Sequence, residues 1–171
     1  RYMESRGRTG CCRGYLDMMG VPYGCCNVLA SALTFDKHTC NTYLKSYGVN
    51  VADSVMLIRG MAYDVNEIIN EVGLPCFVKP NAEGSSFGVT KVKEAAQLED
   101  ALKKAFALCR EVLIETFIDG TELTCGVVRP GIWILPCRLP RWFRRTSFFD
   151  FEAKYDPTKS DEIIPLASRP N

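Results

Sequence analysis

Between Val65 and Val92 the apolar spacing changes from three-and-four to two, and that change limits the chain to folds that pack helices on a sheet. Val65, Ile68, Ile69 and Val72 recur at helical intervals, and Gly73 and Pro75 end the run. Cys76-Phe77-Val78-Lys79 then reads as a short buried strand. Gly88-Val89-Thr90-Lys91-Val92 alternates as a second strand beyond a loop of small residues, which predicts a hairpin. Glu94 to Leu108 is the clearest helix, with Leu98, Ala101, Leu102, Ala105 and Phe106 on one face. Glu111 to Ile118 returns to strand, Asp119-Gly120 turns, and Glu122 to Val128 reads as strand again. The expected class is α+β, with helices covering a sheet of hairpin strands.

Upstream of this stretch the reading is coarser. Arg1 to Arg13 is polar and aperiodic, a loop or tail, and Gly14 to Met19 has a short helical pattern closed by the turn Gly20-Val21-Pro22-Tyr23-Gly24. Val28, Leu29, Ala32, Leu33 and Phe35 predict one helix running to about Tyr47, with Asp36-Lys37 near its middle and Gly48 as its stop. The helix whose stripe is Val65, Ile68, Ile69 and Val72 is expected to lie between Ser54 and Val72. Arg138, Arg141, Arg144 and Arg145 with Trp142 form a basic aromatic cluster, read as a solvated loop.

Charge and composition narrow the function classes. With 21 basic and 20 acidic residues spread along the chain, no global field favours nucleic acid or an anionic membrane, and neither is an expected partner. No apolar run approaches the roughly 20 residues of a spanning helix, and the Arg-rich start lacks the apolar core of a secretory signal, so the expected compartment is the cytoplasm. The nine cysteines do not follow C-x-x-C spacing, and they read as buried, reduced thiols; His38 has no metal-spaced partner.

Chemistry concentrates in Lys79-Pro80-Asn81-Ala82-Glu83-Gly84-Ser85-Ser86-Phe87-Gly88. A lysine ends a buried strand, and the Gly/Ser loop after it offers unhindered backbone N–H groups and hydroxyls, the composition of a cover over phosphate oxygens. It is not a P-loop, because here the lysine precedes the glycines and a strand follows. Composition alone leaves open a flexible turn beside a solvated lysine.

Five motifs in series carry a more specific resemblance: Ser31-Ala32-Leu33-Thr34-Phe35-Asp36-Lys37, Val78-Lys79-Pro80, Glu83-Gly84-Ser85-Ser86-Phe87-Gly88, Val112-Leu113-Ile114-Glu115 and Phe149-Asp150-Phe151-Glu152-Ala153-Lys154-Tyr155. In order and approximate spacing they resemble the D-alanine:D-alanine ligases, and Pro22-Tyr23-Gly24 is similar to the turn before the first motif. The resemblance runs from about Gly14 to the C-terminus. It implies an ATP-grasp fold, with residues 1–25 as a remnant of the N-terminal substrate domain, 26–118 as the central subdomain and 119–171 as the start of the C-terminal one. It also implies ATP as nucleotide, two magnesium ions, D-alanine as substrate and a homodimer, in the service of peptidoglycan synthesis.

By the same resemblance, Lys37 and Lys79 contact the ATP phosphates, and Glu83, Ser85 and Ser86 belong to the loop above them. Glu115, Phe117 and Ile118 form the strand and apolar wall that meet adenine, and Glu122 holds the ribose. Lys154 reaches a phosphate, while Tyr155 joins Ser85 beside the reacting substrate. From the residues alone, Glu115 also fits an outward position on a half-buried strand, Glu122 a surface position after a turn, and Tyr155 a packed aromatic.

Departures from the family pattern limit the expectation. Arg8-Thr9-Gly10-Cys11-Cys12-Arg13 carries no acid where the family has a Gly-Glu-Asp-Gly-like turn. The family's magnesium ligands are expected beyond Asn171, so the sequence predicts a partial enzyme that binds ATP at most. A non-catalytic nucleotide-binding or interaction module is the alternative, and another ATP-grasp enzyme such as a carboxylase is disfavoured by the Glu-Gly-Ser-Ser loop and the Lys-Tyr pair.

Overall fold

In the computed structural model, residues 9–120, 126–128, 135–136, 141–144 and 160–163 are described. The chain forms two compact units, Arg1–Phe117 and Ile118–Asn171.

The first unit is a four-stranded antiparallel sheet in the order β1-β4-β2-β3, made of β1 (Ser54–Ile58), β2 (Cys76–Pro80), β3 (Thr90–Val92) and β4 (Glu111–Thr116). Its helices are α1 (Cys11–Met18), α2 (Val28–Phe35), α3 (Lys37–Ser46), α4 (Val65–Val72) and α5 (Leu98–Leu108), the last entered through a 3₁₀ turn at Ala95–Gln97. The expected hairpin is present: Cys76 pairs with Val92 and Val78 with Thr90. Since alternate residues of a strand face opposite sides, the register assigns the two faces. Leu57, Cys76, Val78, Val92, Val112 and Ile114 join Ile68, Val72, Leu98, Ala101, Leu102 and Ala105 in one core. The opposite face carries Phe77, Lys79, Lys91, Leu113 and Glu115, for Phe77 lies opposite both Glu115 and Lys91, and Lys79 opposite Leu113.

Several expectations are corrected. The segment Ser54–Ile58 is a strand, and the helix begins only at Val65, where the Asp64 carboxylate accepts from the Asn66 N–H at 2.7 Å. Ser-Val-Met-Leu-Ile pairs along its whole length with β4 alone, from Ser54↔Glu115 to Ile58↔Glu111, as an outer strand of the sheet. The single helix expected to Tyr47 is two, broken at Asp36, whose ψ of 107° is extended. Asp36 is the N-cap of α3, accepting from the Thr39 N–H at 2.7 Å. Arg1 to Arg13 was expected to be loop throughout, yet α1 already begins at Cys11. Exposure also differs from expectation: Cys76 is buried, whereas Cys11, Cys12, Cys25 and Cys26 are exposed, all as free thiols.

In the second unit Val127–Val128 pairs with Leu135–Pro136, and Arg141–Arg144 pairs antiparallel with Ser160–Ile163. The basic cluster therefore contains a strand at 141–144 rather than a loop throughout. No helix among the described residues is long and apolar enough to cross a membrane.

Candidate functional site

The start of α3 is bolted to the end of β2. The first four N–H groups at a helix start lack intrahelical partners, and here each has one outside the helix: Asp36 N–H donates to the Ala32 carbonyl at 3.3 Å, Lys37 N–H to the Asn81 carbonyl at 3.3 Å, His38 N–H to Asn81 Oδ1 at 2.9 Å, and Thr39 N–H to Asp36 Oδ1. Asn81 is fully buried. Its Nδ2 donates to Asp36 Oδ2 at 2.8 Å and Glu111 Oε2 at 3.0 Å, and its own N–H donates to the Glu111 carbonyl. One asparagine thereby joins helix, strand and loop, which sets where Lys37 emerges.

Lys37 Nζ donates to the carbonyl oxygens of Pro80 (2.9 Å), Asn81 (3.1 Å) and Glu83 (2.6 Å). Burial, together with the nearby Lys79 charge, lowers the pKa of its ammonium, against an opposing contribution from Glu115. Lys79, on the less buried face of β2, forms a partly buried ion pair with Glu115 Oε2, and Asn41 Nδ2 donates to Glu115 Oε1 at 3.0 Å. Lys37 and Asn41 are one helical turn apart, so both side chains lie on the same flank of α3. Together with Thr34, Cys40, Val51, Ala52, Lys79 and Glu115 they line a cleft of about 320 Å³.

Beyond Lys79 the loop turns twice, with Phe87 N–H donating to the Gly84 carbonyl and Val89 N–H to the Ser86 carbonyl. Ser85 and Ser86 both have left-handed backbone, φ 55° and 56°. Two successive non-glycine residues in that region each cost about 1 kcal/mol or more, a strain that collects at ligand-facing loops. Gly88, at φ 74°, completes the return: a Cβ there would meet Leu108 and lie 3.0 Å from Pro80 Cγ. On the same sheet face as Glu115, the Phe77 and Phe117 rings pack tilted at 5.9 Å, and Lys91 Nζ lies 3.5 Å from the Phe117 centroid.

The structure thus gathers Lys37, Lys79 and Glu115 in one cleft. Glu83 is tied to it through its carbonyl, whereas Ser85 and Ser86 lie in the adjoining loop and are not among the cleft's lining residues. Phe117 packs against Phe77, and Ile118 is exposed. Glu122, Lys154 and Tyr155 lie outside the described residues. Sequence reasoning missed Asn41, Asn81 and Lys91. Only Asn81, directly after Val78-Lys79-Pro80, carried a signal, as a polar residue where a buried strand ends. Two ammonium groups and a carboxylate in one cleft suit a ligand with both phosphate oxygens and a hydrogen-bond donor. Among the described residues no group of three or more His, Cys, Asp or Glu side chains gathers as metal ligands.

An antiparallel sheet backed by α4 and α5, carrying a lysine-rich cleft and a Gly/Ser loop on its other face, is an ATP-grasp fold, as in the solved ligases it matches. The family model for the D-ala D-ala ligase C-terminus matches residues 43–170, and the chain belongs to that family. A D-alanine–D-alanine ligase of Bacteroides fragilis (strain YCH46) is 47% identical over 159 residues, which is 93% of this chain and 49% of that protein. One from Phocaeicola vulgatus is 48% identical over the same shares. Among solved structures, the VanG D-Ala:D-Ser ligase of Enterococcus faecalis matches 96% of this chain and 48% of its own, with TM-score 0.78 and 30% identity. The D-alanine–D-alanine ligase of Bacillus anthracis complexed with ATP matches 94% and 50%, with TM-score 0.74 and 29% identity. The chain spans about half the length of the curated relatives it matches.

Proposed function

We propose that this chain is the ATP-holding part of a ligase that joins two D-alanines. The observation that supports this reading is the convergence of Lys37, Lys79 and Glu115 on one cleft, with Lys37 also bonded to the Glu83 carbonyl at the start of the Ser85-Ser86 loop. In it, Lys79 and Lys37 face the phosphates and the 83–88 loop closes over them, a use of fixed positive charge that phosphoryl transfer rewards because its transition state spreads negative charge over several oxygens. Lys37 reaches a phosphate by exchanging one of its three carbonyl bonds. Glu115 accepts from the adenine amino group, with Phe117 and Ile118 beside the base, Glu122 at the ribose and Lys154 at a phosphate.

The reaction proposed for the whole protein moves the γ-phosphoryl group of ATP to a D-alanine carboxylate oxygen, releasing ADP. The amine of a second D-alanine attacks the acyl carbon, phosphate leaves, the amine loses a proton, and a peptide bond forms. In this reading Ser85 and Tyr155 act beside the reacting substrate, where exclusion of water protects the acyl phosphate. Magnesium, when bound, offsets phosphate charge. Peptidoglycan precursor synthesis, a cytoplasmic location and a homodimer complete the proposal. Calorimetric titration of ATP into this chain and into Lys79→Ala tests it: the variant is expected to bind at least about tenfold more weakly, as for loss of a charge-assisted hydrogen bond. Equal affinity would remove Lys79 from the nucleotide site.

A further inference from the structure

The two oxygens of the Glu115 carboxylate have different partners. Lys79 holds Oε2 in the ion pair, and Asn41 Nδ2 donates to Oε1 at 3.0 Å across 74 positions of sequence. With a donor at each oxygen the carboxylate cannot turn about its own axis without losing one of them. Each oxygen keeps a second acceptor position, and the group lines the cleft although only 8% of the residue is exposed. What the cleft presents is therefore an oriented acceptor with no donor of its own.

We infer that Asn41 is a positioning residue for base selection: by fixing the plane of Glu115 it sets the cleft's preference for 6-amino over 6-oxo purine nucleotides. A 6-amino purine offers a donor at that edge, which Glu115 accepts. A 6-oxo purine offers an acceptor, and two acceptors face each other with neither satisfied. Rejection of this kind is strong when the site's polar group is left unpaired. Without Asn41 the carboxylate is free to swing, share both oxygens with Lys79 and withdraw its acceptor from the cleft. The inference rests on the reading of this cleft as a nucleotide site.

The test is a set of ATP and GTP affinities for the chain and for Asn41→Ala, Asn41→Asp and Asn41→Gln, with thermal unfolding as the check on folding. Asn41 is only half-buried on a helix, and alanine there favours helix, so the alanine variant keeps the fold. The parent is expected to prefer ATP, and Asn41→Ala to reduce the ATP:GTP ratio about tenfold, as for loss of one hydrogen bond to a charged group. Asn41→Asp sets a second carboxylate against Glu115, so its ratio falls further at neutral pH and recovers in acid, where the pair shares a proton. Asn41→Gln, which keeps the donor, restores part of the ratio. A purely structural role for Asn41 moves both affinities together and leaves the ratio unchanged, and that result overturns the inference. Equal binding of the two nucleotides by the parent overturns it as well, while leaving the nucleotide site standing. If the parent binds neither nucleotide, the reading of the cleft itself fails and this inference with it.

Discussion

The ammonium nitrogen of Lys37 lies 2.6 Å from the carbonyl oxygen of Glu83, and the same group reaches the carbonyls of Pro80 and Asn81. An ammonium has three N–H donors, so in this arrangement all three are engaged by the backbone at the start of the Gly/Ser loop. Lys37 is an anchor of that loop as much as a side chain of the cleft. Lys37→Met keeps most of the stem and removes the donors. It is expected to lower stability by about 2 kcal/mol, the range for hydrogen bonds to a charged group, measured by urea unfolding. Amide exchange should quicken across 82–88 while the β4 amides keep their protection; unchanged exchange in the loop would show that something else holds it.

Asn81 makes the prediction with the largest expected cost. It is fully buried and supplies the donor to Asp36 and Glu111 and the acceptor for His38 N–H. Asn81→Ala leaves those groups without their partner at a buried joint, a change expected to cost about 3 kcal/mol. Asn81→Asp places a third carboxyl beside two others, which raises the pKa of the new group in the folded state above its unfolded value. By linkage, stability relative to the parent is then higher below the unfolded value and falls as the pH rises through the folded one. Denaturant midpoints over about four pH units, from roughly pH 4 to roughly pH 8 across carboxyl titration, should show this variant recovering toward the acid end; a pH-independent deficit would count against the three-carboxyl joint.

What the sequence made legible follows from how local each feature is. The hairpin and α5 declare themselves in their own periodicity, because each buries one face against the same core. The strand Ser54–Ile58 does not: Val55, Met56, Leu57 and Ile58 form a short continuous apolar run, which periodicity cannot tell from buried helix, and its partner β4 lies more than fifty residues on. Asp36 reads as a mid-helix residue until Asn81 is seen to hold its carboxylate. Lys37, Lys79 and Glu115 were readable through family motifs. Asn41 was not, since an asparagine on a helix says nothing about a glutamate 74 residues away.

Gly88 is expected to tolerate no side chain. Its φ of 74° disfavours any L-residue, and a Cβ would meet the Leu108 side chain and lie 3.0 Å from the Pro80 ring. The leucine can move, being at a partly exposed helix end, but the proline ring ends β2 and is buried. Gly88→Ala should therefore cost about 1 to 2 kcal/mol and displace the loop, weakening ATP binding more than stability alone explains. Thermal unfolding with ATP titration checks both; a stability equal to the parent's would show that the loop relaxes freely.

Cys76 gives a prediction with a defined pH sense. It is fully buried in the core, and burial raises its thiol pKa above the ordinary 9.0. The folded protein thus keeps a proton that the unfolded chain begins to release near that pH. Above it the unfolded state binds fewer protons, so stability due to this group is complete below pH 9.0 and is lost as the pH rises through the folded value. Cys76→Ala should flatten the alkaline fall in denaturant midpoint, although it lowers the midpoint overall by removing a buried sulfur. Site-resolved alkylation at pH 8 gives an independent measure: among the described cysteines, exposed Cys11, Cys12, Cys25 and Cys26 should react first and Cys76 last, at the rate of opening of the sheet. Early labelling of Cys76 would mean that the face packed on α4 and α5 opens far more readily than its burial implies.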